Sequence, residues 1–253
     1  MLAGANGDIN SGKPSRTWLY AMKRIDTNTD AVGLLLSGGL DSGILLGHLL
    51  ETGRRVQPFY VRCQLLWEEA ELSAAQSFLA SMPAYRPEPL IVMAMPLADL
   101  YGEHWSINGQ NTPEAGTPDD AVYLPGRNAL LAVKPALWCA MHGIKELALG
   151  VLAANPFADA TKEFCRDFET AITRATGTRI KLVRPFAHLE KKDIMELGRS
   201  LPLELTFSCI APVGNLHCGR CNKCAERQDA FLAVGVSDPT RYAAYPFPRQ
   251  GAM

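Results

Sequence analysis

Glycine and hydroxyl residues gather in one short segment near the start of the chain, Ser37-Gly-Gly-Leu-Asp-Ser42. The segment follows an apolar run, Ala31–Leu36, and leads into the pattern of a helix, Ser42–Thr52. Glycines at that position let the backbone approach a ligand, and the unpaired N–H groups at a helix start attract an anion. The glycines lack the Rossmann spacing, and no Walker lysine follows them. The segment predicts a pyrophosphate-binding turn, although a purely structural strand-to-helix turn can have the same composition.

Four of the seven cysteines lie in the last fifth of the chain, as Cys209-x8-Cys218-x2-Cys221-x2-Cys224. Four thiolates suit a tetrahedral zinc ion, and a filled coordination shell indicates a structural site. An iron–sulfur cluster can also use four cysteines, and His217 is either a substitute ligand or a solvated loop residue. We predict zinc at the four cysteines. This cluster, within an odd number of cysteines, favours a reducing compartment over a disulfide framework.

Two basic residues stand at predicted helix starts, Arg127 in Leu124-Pro-Gly-Arg-Asn128 and Lys191 in Pro185-Phe-Ala-His-Leu-Glu-Lys191. A guanidinium beside a phosphate site would bind it bidentately and neutralise charge during transfer. The alternative is a Pro-Gly turn with Asn128 as helix cap and Arg127 in solvent. Lysines at helix starts are likewise common on protein surfaces.

Apolar runs and helical patterns alternate along the chain at least four times, which predicts a parallel, doubly wound α/β sheet. The long stretch Pro96–Pro125 is rich in glycine and proline and predicts an irregular, functional loop. The predicted strands are Ala31–Leu36, Val56–Arg62, Leu90–Met95, Glu146–Val151 and Ile180–Val183. The predicted helices are Ser42–Thr52, Trp67–Met82, Asn128–His142, Asp159–Thr176 and Lys191–Arg199.

The 253 residues carry 25 basic and 26 acidic side chains, so the formal net charge is −1. This balance gives no global signal for nucleic-acid binding. No apolar run approaches the roughly 18 residues that span a membrane, and the first 16 residues lack the apolar core of a secretory signal. We therefore expect a cytoplasmic protein. We divide it into a polar extension (1–29), a nucleotide-binding α/β domain (30–204) and a zinc-binding helical subdomain (205–253).

The hexapeptide Ser37–Ser42 resembles the PP-loop of the ATP pyrophosphatases, whose fold is of the adenine nucleotide α-hydrolase type. Together with Leu124–Asn128, Pro185–Lys191 and the four-cysteine tail, it resembles the 7-cyano-7-deazaguanine synthase family. The similarity runs from about residue 31 to residue 242. The PP-loop is specific to the superfamily, whereas its combination with the cysteine tail is specific to the family.

The resemblance implies an ATP-dependent ligase that converts 7-carboxy-7-deazaguanine and ammonia to 7-cyano-7-deazaguanine through an adenylated carboxylate, in queuosine biosynthesis. It implies Mg²⁺ with ATP, a homodimer, and Asp41, Arg127 and Lys191 as catalytic residues. ATP is expected to contact Leu36, Ser37, Gly38, Gly39, Leu40, Asp41, Ser42, Gly126 and Asn128. A covalent nucleophile is not required by this chemistry.

The expected acceptor-binding segment departs from the family pattern and reads Gly150-Val-Leu-Ala-Ala-Asn155-Pro-Phe157-Ala-Asp159. Phe157 could stack on a purine-like ring, and Asn155 or Asp159 could hydrogen-bond its edge. The alternative is a strand-to-helix loop with Asp159 as the N-cap.

The Tyr-Gly-Gln-x-His element of the family is also replaced here, by Tyr60-Val-Arg-Cys-Gln64. Two other functions therefore stay open. One is a PP-loop enzyme acting on another acid or on tRNA, for which a local basic patch could serve. The other is a repurposed partner in a multi-protein antiviral defence system. The basic patch comprises Arg174, Arg179, Lys181 and Arg184.

Overall fold

The computed structural model describes residues 31–85 and 87–244 of the chain. The predicted N-terminal extension, 1–29, lies outside the described residues, as do the last nine residues of the predicted C-terminal subdomain. Among the described residues, no helix is both long enough and apolar enough to cross a membrane.

A five-stranded parallel sheet forms the centre of the described fold, in the strand order β3-β2-β1-β4-β5. Short, apolar, β-branched runs form such strands because parallel sheets are covered on both faces. Four of the five residues of β1 are buried, in agreement with this position. The strands are β1 (Ala31–Leu35), β2 (Arg55–Arg62), β3 (Ile91–Ala94), β4 (Glu146–Ala148) and β5 (Lys181–Val183).

Helices cover both faces of the sheet, so the predicted doubly wound architecture is confirmed. Helices α1 and α7 pack together on one face, while α5 and α6 pack on β1, β4 and β5 on the other. Gly33 of β1 permits the close approach of α5, because a Cβ there would lie 2.7 Å from the Cys139 sulfur. The helices are α1 (Leu40–Glu51), α2 (Glu68–Ala80), α3 (Ala98–Tyr101), α4 (Trp105–Asn108), α5 (Arg127–Met141), α6 (Lys162–Thr176), α7 (Lys191–Leu197) and α8 (Asn222–Ala233).

Two sequence predictions need correction. The stretch Pro96–Pro125 is not wholly irregular, because it contains α3, α4 and a 3-10 turn at Asp119–Val122. The helix predicted from Asp159 begins instead at Lys162, since the Thr161 hydroxyl accepts the hydrogen bond of the Phe164 N–H and forms the N-cap.

The segment after residue 204 packs on the carboxyl-end side of the sheet. The Phe207 N–H donates to the Gly38 carbonyl over 2.7 Å, which ties this segment to the turn after β1. The buried cysteines of the segment share an apolar cluster with Trp67 and Leu124 of the α/β region. This packing brings α8 to the place where the candidate site lies.

Candidate active site

The candidate site lies where the strand order reverses, between the carboxyl ends of β1 and β4. In an open α/β sheet this is the expected position of a ligand-binding crevice. A cavity of about 280 Å³ opens there. Its walls come from the turn after β1, the loop after β4, and the starts of α5 and α7, with α8 on the far side.

The turn after β1 presents an uncapped helix end to this cavity. The Ser37 and Ser42 hydroxyls lie 3.0 Å apart, and the Ser42 hydroxyl also accepts the Ser37 N–H over 3.2 Å. Gly39 is the N-cap of α1 and supplies no side-chain acceptor. The first N–H groups of α1 therefore remain available to an anion, and the helix dipole adds positive potential there.

Gly38 makes this turn possible. Its φ of +82° lies in the left-handed region, and a Cβ would lie 2.5 Å from the Glu71 carbonyl oxygen of α2. A larger residue would be strained by the backbone angle and would also push the turn away from α2. The close contact fixes the turn against the sheet, where it faces the cavity.

A network of four alternating charges lies next to the turn. The Lys191 Nζ is 2.7 Å from an Asp41 carboxylate oxygen and 2.8 Å from a Glu226 oxygen. The other Glu226 oxygen is 2.6 Å from the Lys223 Nζ. Burial opposes the charge of Lys191, but Asp41 and Glu226 together raise its pKa. Burial likewise opposes the charge of Glu226, but the two lysines lower its pKa to about 2.

Arg127 enters the cavity from the opposite wall, at the first residue of α5. The preceding Gly126 turns the chain through a φ of +71°. The guanidinium lies over the Trp67 ring, 6.0 Å from its centroid. Its Nε is buried without a hydrogen-bond partner among the described residues, so this donor can still take an acceptor.

The start of α5 is held by a carboxylate that the sequence assigned to substrate binding. Asp159 is buried, and its two oxygens accept the Asn128 N–H over 2.9 Å and the Asn128 side-chain amide over 3.1 Å. The carboxylate therefore caps α5 from another element. It is not the N-cap of its own helix α6, as the alternative interpretation proposed.

The predicted site residues divide into two groups. Most of the residues predicted to bind ATP line the cavity, and so do all three predicted catalytic residues. Leu36, Gly38 and Gly126 do not line it, although both glycines turn the backbone through a positive φ. On the predicted acceptor side, only Asn155 lines the cavity. Phe157 stacks on Tyr123 at a centroid distance of 5.0 Å. The lining residues among the predicted set are Ser37, Gly39, Leu40, Asp41, Ser42, Arg127, Asn128, Asn155 and Lys191.

The four predicted metal ligands converge on one point. All four sulfurs are buried and lie within 4.8 Å of one another. Cys209 and Cys221 are 3.8 Å apart at sulfur, and Cys218 and Cys224 are 3.9 Å apart. Four sulfurs each about 2.3 Å from a zinc ion would be separated by about 3.8 Å, so the set fits a tetrahedral S₄ site.

His217 does not join this cluster. It is buried, its Nε2 accepts the Ser208 N–H over 3.1 Å, and its ring packs on Phe207. Burial and the nearby Arg227 lower the pKa of His217 to about 3, so the ring is neutral at physiological pH. Both sequence interpretations of His217, as a substitute ligand and as a solvated loop residue, are therefore wrong.

Comparison with known families gives a match over most of the chain. The family model described as "Queuosine biosynthesis protein QueC" matches residues 31–235. The chain belongs to this family. The resemblance predicted from the PP-loop and the cysteine tail is thereby confirmed.

Individual relatives agree with the family assignment. A 7-cyano-7-deazaguanine synthase of Thiobacillus denitrificans is 32% identical over 229 residues, covering 83% of this chain and 97% of the relative. The protein of the same name from Methanopyrus kandleri is 34% identical over 225 residues, covering 83% and 97%. The solved structure of a U34-tRNA thiolase of Methanococcus maripaludis with its 4Fe-4S cluster is also similar. The match covers 85% of this chain and 74% of the thiolase chain. Its TM-score of 0.46 and 13% identity are too low to bear on function.

Four charged cavity residues were missed by sequence reasoning: Glu71, Lys223, Glu226 and Arg227. Glu71 and Glu226 belong to helices rich in charge, where a single acid gives no signal of its own. Arg227 comes three residues after Cys224 and has no sequence signal of its own apart from the cysteine cluster. It is almost fully buried and donates to the Thr206 hydroxyl and the Leu203 carbonyl, each over 2.8 Å. The helical spacing of Lys223, Glu226 and Arg227 could have indicated one functional face of α8.

Proposed function

We propose that this member of the family is an ATP-dependent carbon–nitrogen ligase that makes 7-cyano-7-deazaguanine from 7-carboxy-7-deazaguanine and ammonia. One observation carries the proposal beyond family membership. The uncapped turn Ser37–Ser42 shares one cavity with Arg127 and Lys191, so an anionic nucleotide tail meets backbone donors and two cations together. The names of the relatives give the product, 7-cyano-7-deazaguanine, and the acceptor that we propose is the corresponding carboxylate.

The reaction begins with activation of the acid. A carboxylate oxygen attacks the α-phosphorus of ATP, and the bond to pyrophosphate breaks, which leaves an acyl adenylate. The N–H groups of α1 and the Ser37 and Ser42 hydroxyls bind the departing pyrophosphate, while Arg127 and Lys191 stabilise its negative charge. Asp41 also lines the cavity, and its carboxylate would hold the Mg²⁺ that enters with ATP.

Nitrogen enters in the second stage. Ammonia attacks the carbonyl carbon, and AMP leaves to give the amide. A second ATP then adenylates the amide oxygen, and loss of AMP and the remaining nitrogen protons gives the nitrile. Acyl activation followed by direct transfer needs no covalent enzyme intermediate.

We also propose that the four cysteines bind a structural zinc ion. The donor set is all sulfur, buried and spaced for a tetrahedron, and four ligands leave no position open for water. The ion would join the loop around residue 209 to the start of α8, and so would position Glu226 at the cavity. We retain as predictions the three-part division of the chain, the homodimer and the cytoplasmic location.

A second candidate function is the same adenylation on a different carboxylic acid. It is favoured by the acceptor side of the site, where Phe157 and Asp159 are engaged by Tyr123 and Asn128 rather than lining the cavity. A different acid would then be recognised by other walls of the cavity.

The test is to incubate the full chain with ATP, Mg²⁺, ammonium and 7-carboxy-7-deazaguanine. AMP, pyrophosphate and the nitrile should form together and only when the acid is present, with the nitrile identified by mass spectrometry. AMP that forms only with another acid would favour the second candidate. No AMP with any acid tried, from protein of native fold, would contradict both.

A further inference from the structure

Glu71 of α2 is a cavity residue to which the steps above assign no task. It lines the cavity together with Ser37 and Arg127. The turn after β1 rests on the α2 backbone at this same residue, since a Cβ on Gly38 would lie 2.5 Å from the Glu71 carbonyl. Glu71 therefore lies beside the turn that we propose binds the nucleotide tail.

The surroundings of Glu71 favour neither a permanent charge nor a permanently neutral acid. The Tyr60 hydroxyl lies 3.2 Å from a Glu71 oxygen, and Trp67, Glu68 and Arg127 also act on it. Burial raises the pKa of Glu71 to about 7, against the lowering effects of Arg127 and Tyr60, while Glu68 raises it further. A carboxyl group of this kind can take a proton and release it again near neutral pH.

The proposed reaction requires such a group twice. Ammonia is mostly ammonium at neutral pH and must lose a proton before or during attack. Formation of the nitrile from the adenylated amide also removes protons from nitrogen. Each step needs a proton acceptor close to the reacting nitrogen.

Each of the other two carboxylates that line the cavity forms an ion pair with lysine. An Asp41 oxygen lies 2.7 Å from the Lys191 Nζ, and Glu226 lies between Lys191 and Lys223. The pKa of Glu226, lowered to about 2, makes it a weak proton acceptor. Glu71 contacts no lysine in the described part of the chain, which leaves it as the carboxylate suited to the task.

We propose that the Glu71 carboxylate accepts the proton of the reacting nitrogen in both the amide-forming and the nitrile-forming step, an inference that rests on the proposed function. In the first step the C–N bond forms, the C–O bond to AMP breaks, AMP leaves with the bonding electron pair, and the nitrogen proton goes to Glu71. In the second step adenylation of the amide oxygen makes the second C–N bond and one N–H proton goes to Glu71. The C–O bond to AMP then breaks, AMP leaves with the bonding electron pair, the third C–N bond forms, and the last N–H proton also goes to Glu71. Solvent receives each proton before the next step.

The experiment separates acid activation from nitrogen chemistry. Glu71→Gln is compared with wild type and with Glu69→Gln, a control on the same helix whose side chain is 75% exposed. Activation is measured as incorporation of labelled pyrophosphate into ATP in the presence of 7-carboxy-7-deazaguanine. Nitrogen chemistry is measured as the amide and nitrile formed from ammonium chloride. Hydroxylamine, which is uncharged near neutral pH, traps the adenylate as a hydroxamate.

In Glu71→Gln we expect pyrophosphate exchange and hydroxamate formation to stay within about threefold of wild type, while amide and nitrile formation fall about 100-fold. Glu69→Gln should match wild type in every assay. Nitrile formation near the wild-type rate in Glu71→Gln would overturn the inference. So would a parallel loss of exchange, because Glu71 would then organise the nucleotide site. If wild type itself shows no acid-dependent exchange, the proposed function fails, and this inference fails with it.

Tyr60→Phe gives a second readout that a structural role would not produce. Loss of the Tyr60 hydrogen bond should raise the pKa of Glu71, so the rising limb of the nitrile-formation pH profile should move to higher pH. The rate at high pH should recover toward that of wild type. A uniform loss at all pH values, with no shift of the limb, would contradict proton transfer to Glu71.

Discussion

The two sides of the cavity differ in how they are built. The proposed nucleotide side comes from one contiguous turn and two helix starts, so its backbone donors and cations line one cavity. The acceptor side comes from the loop after β4, where only Asn155 of the three predicted residues lines the cavity. Phosphate recognition depends on backbone geometry that a short motif encodes, whereas recognition of a flat base depends on side chains placed by tertiary packing.

The largest effect should come from the nucleotide side. Replacing Asp41 with Ala removes the carboxylate at the second position of α1 and leaves Lys191 paired only with Glu226. We expect acid-dependent pyrophosphate exchange to fall about 1,000-fold, with an unchanged melting temperature. Asp167→Ala, on an exposed part of α6, is the matched control. A rate of pyrophosphate exchange within a few-fold of wild type would show that Asp41 takes no part in the reaction.

The next effect concerns stability. Cys221→Ser should cost about 4 kcal/mol, because three sulfurs hold a structural ion less tightly than four. In a chain of this size the melting temperature should fall by roughly 8–16 °C, as measured by calorimetry. Cys165→Ala is the control, since it removes a buried thiol outside the cluster. The protein should also contain about one zinc per chain by metal analysis. An equal fall in melting temperature in both variants would show that the cluster stabilises the fold no more than an ordinary buried cysteine does.

A smaller effect should distinguish two roles of Asp159, as a cap of α5 and as a contact of the acceptor. As the cap of α5, Asp159 positions Arg127 through Asn128. Asp159→Asn should therefore lower kcat by about tenfold and stability by about 1 kcal/mol, with little change in the KM of the acid. A rise in that KM alone, with unchanged kcat and stability, would place Asp159 on the acceptor instead. Steady-state kinetics with varied acid, alongside thermal melts, decides between them.

The contrast also explains what sequence reasoning could and could not predict. The sheet and the turn after β1 were predictable because both depend on short-range patterns, an apolar run followed by glycines and a helix start. The cysteine cluster was predictable because its spacing limits the geometry. The alternative interpretation of Asp159 as the N-cap of α6 was wrong because the partner of its carboxylate, Asn128, is distant in sequence. Glu71 was missed because tertiary packing of α2 beside the turn, which includes the contact with Gly38, brings it to the cavity.

The smallest effect tests whether the charge network around Lys191 contributes to stability as well as to the site. The pKa of Glu226 in the folded chain is about 2, below the ordinary value of 4.5. The stability that the Glu226 carboxylate adds to the folded chain is therefore present above about pH 4.5 and is lost as the pH falls toward 2. Because the side chain is 35% exposed and solvent screens its charge, we expect it to add only about 1 kcal/mol to the free energy of unfolding.

Wild type should accordingly lose more stability than Glu226→Gln between pH 5 and pH 3, since the variant has no carboxylate to protonate. Denaturant titrations at the two pH values measure this difference. Glu196→Gln, which removes an exposed carboxylate paired with Arg199, is the control. Identical pH dependence in wild type and Glu226→Gln would mean that the network holds the cavity cations without stabilising the fold. The nucleotide side would then depend on the sheet and the turn alone for its position.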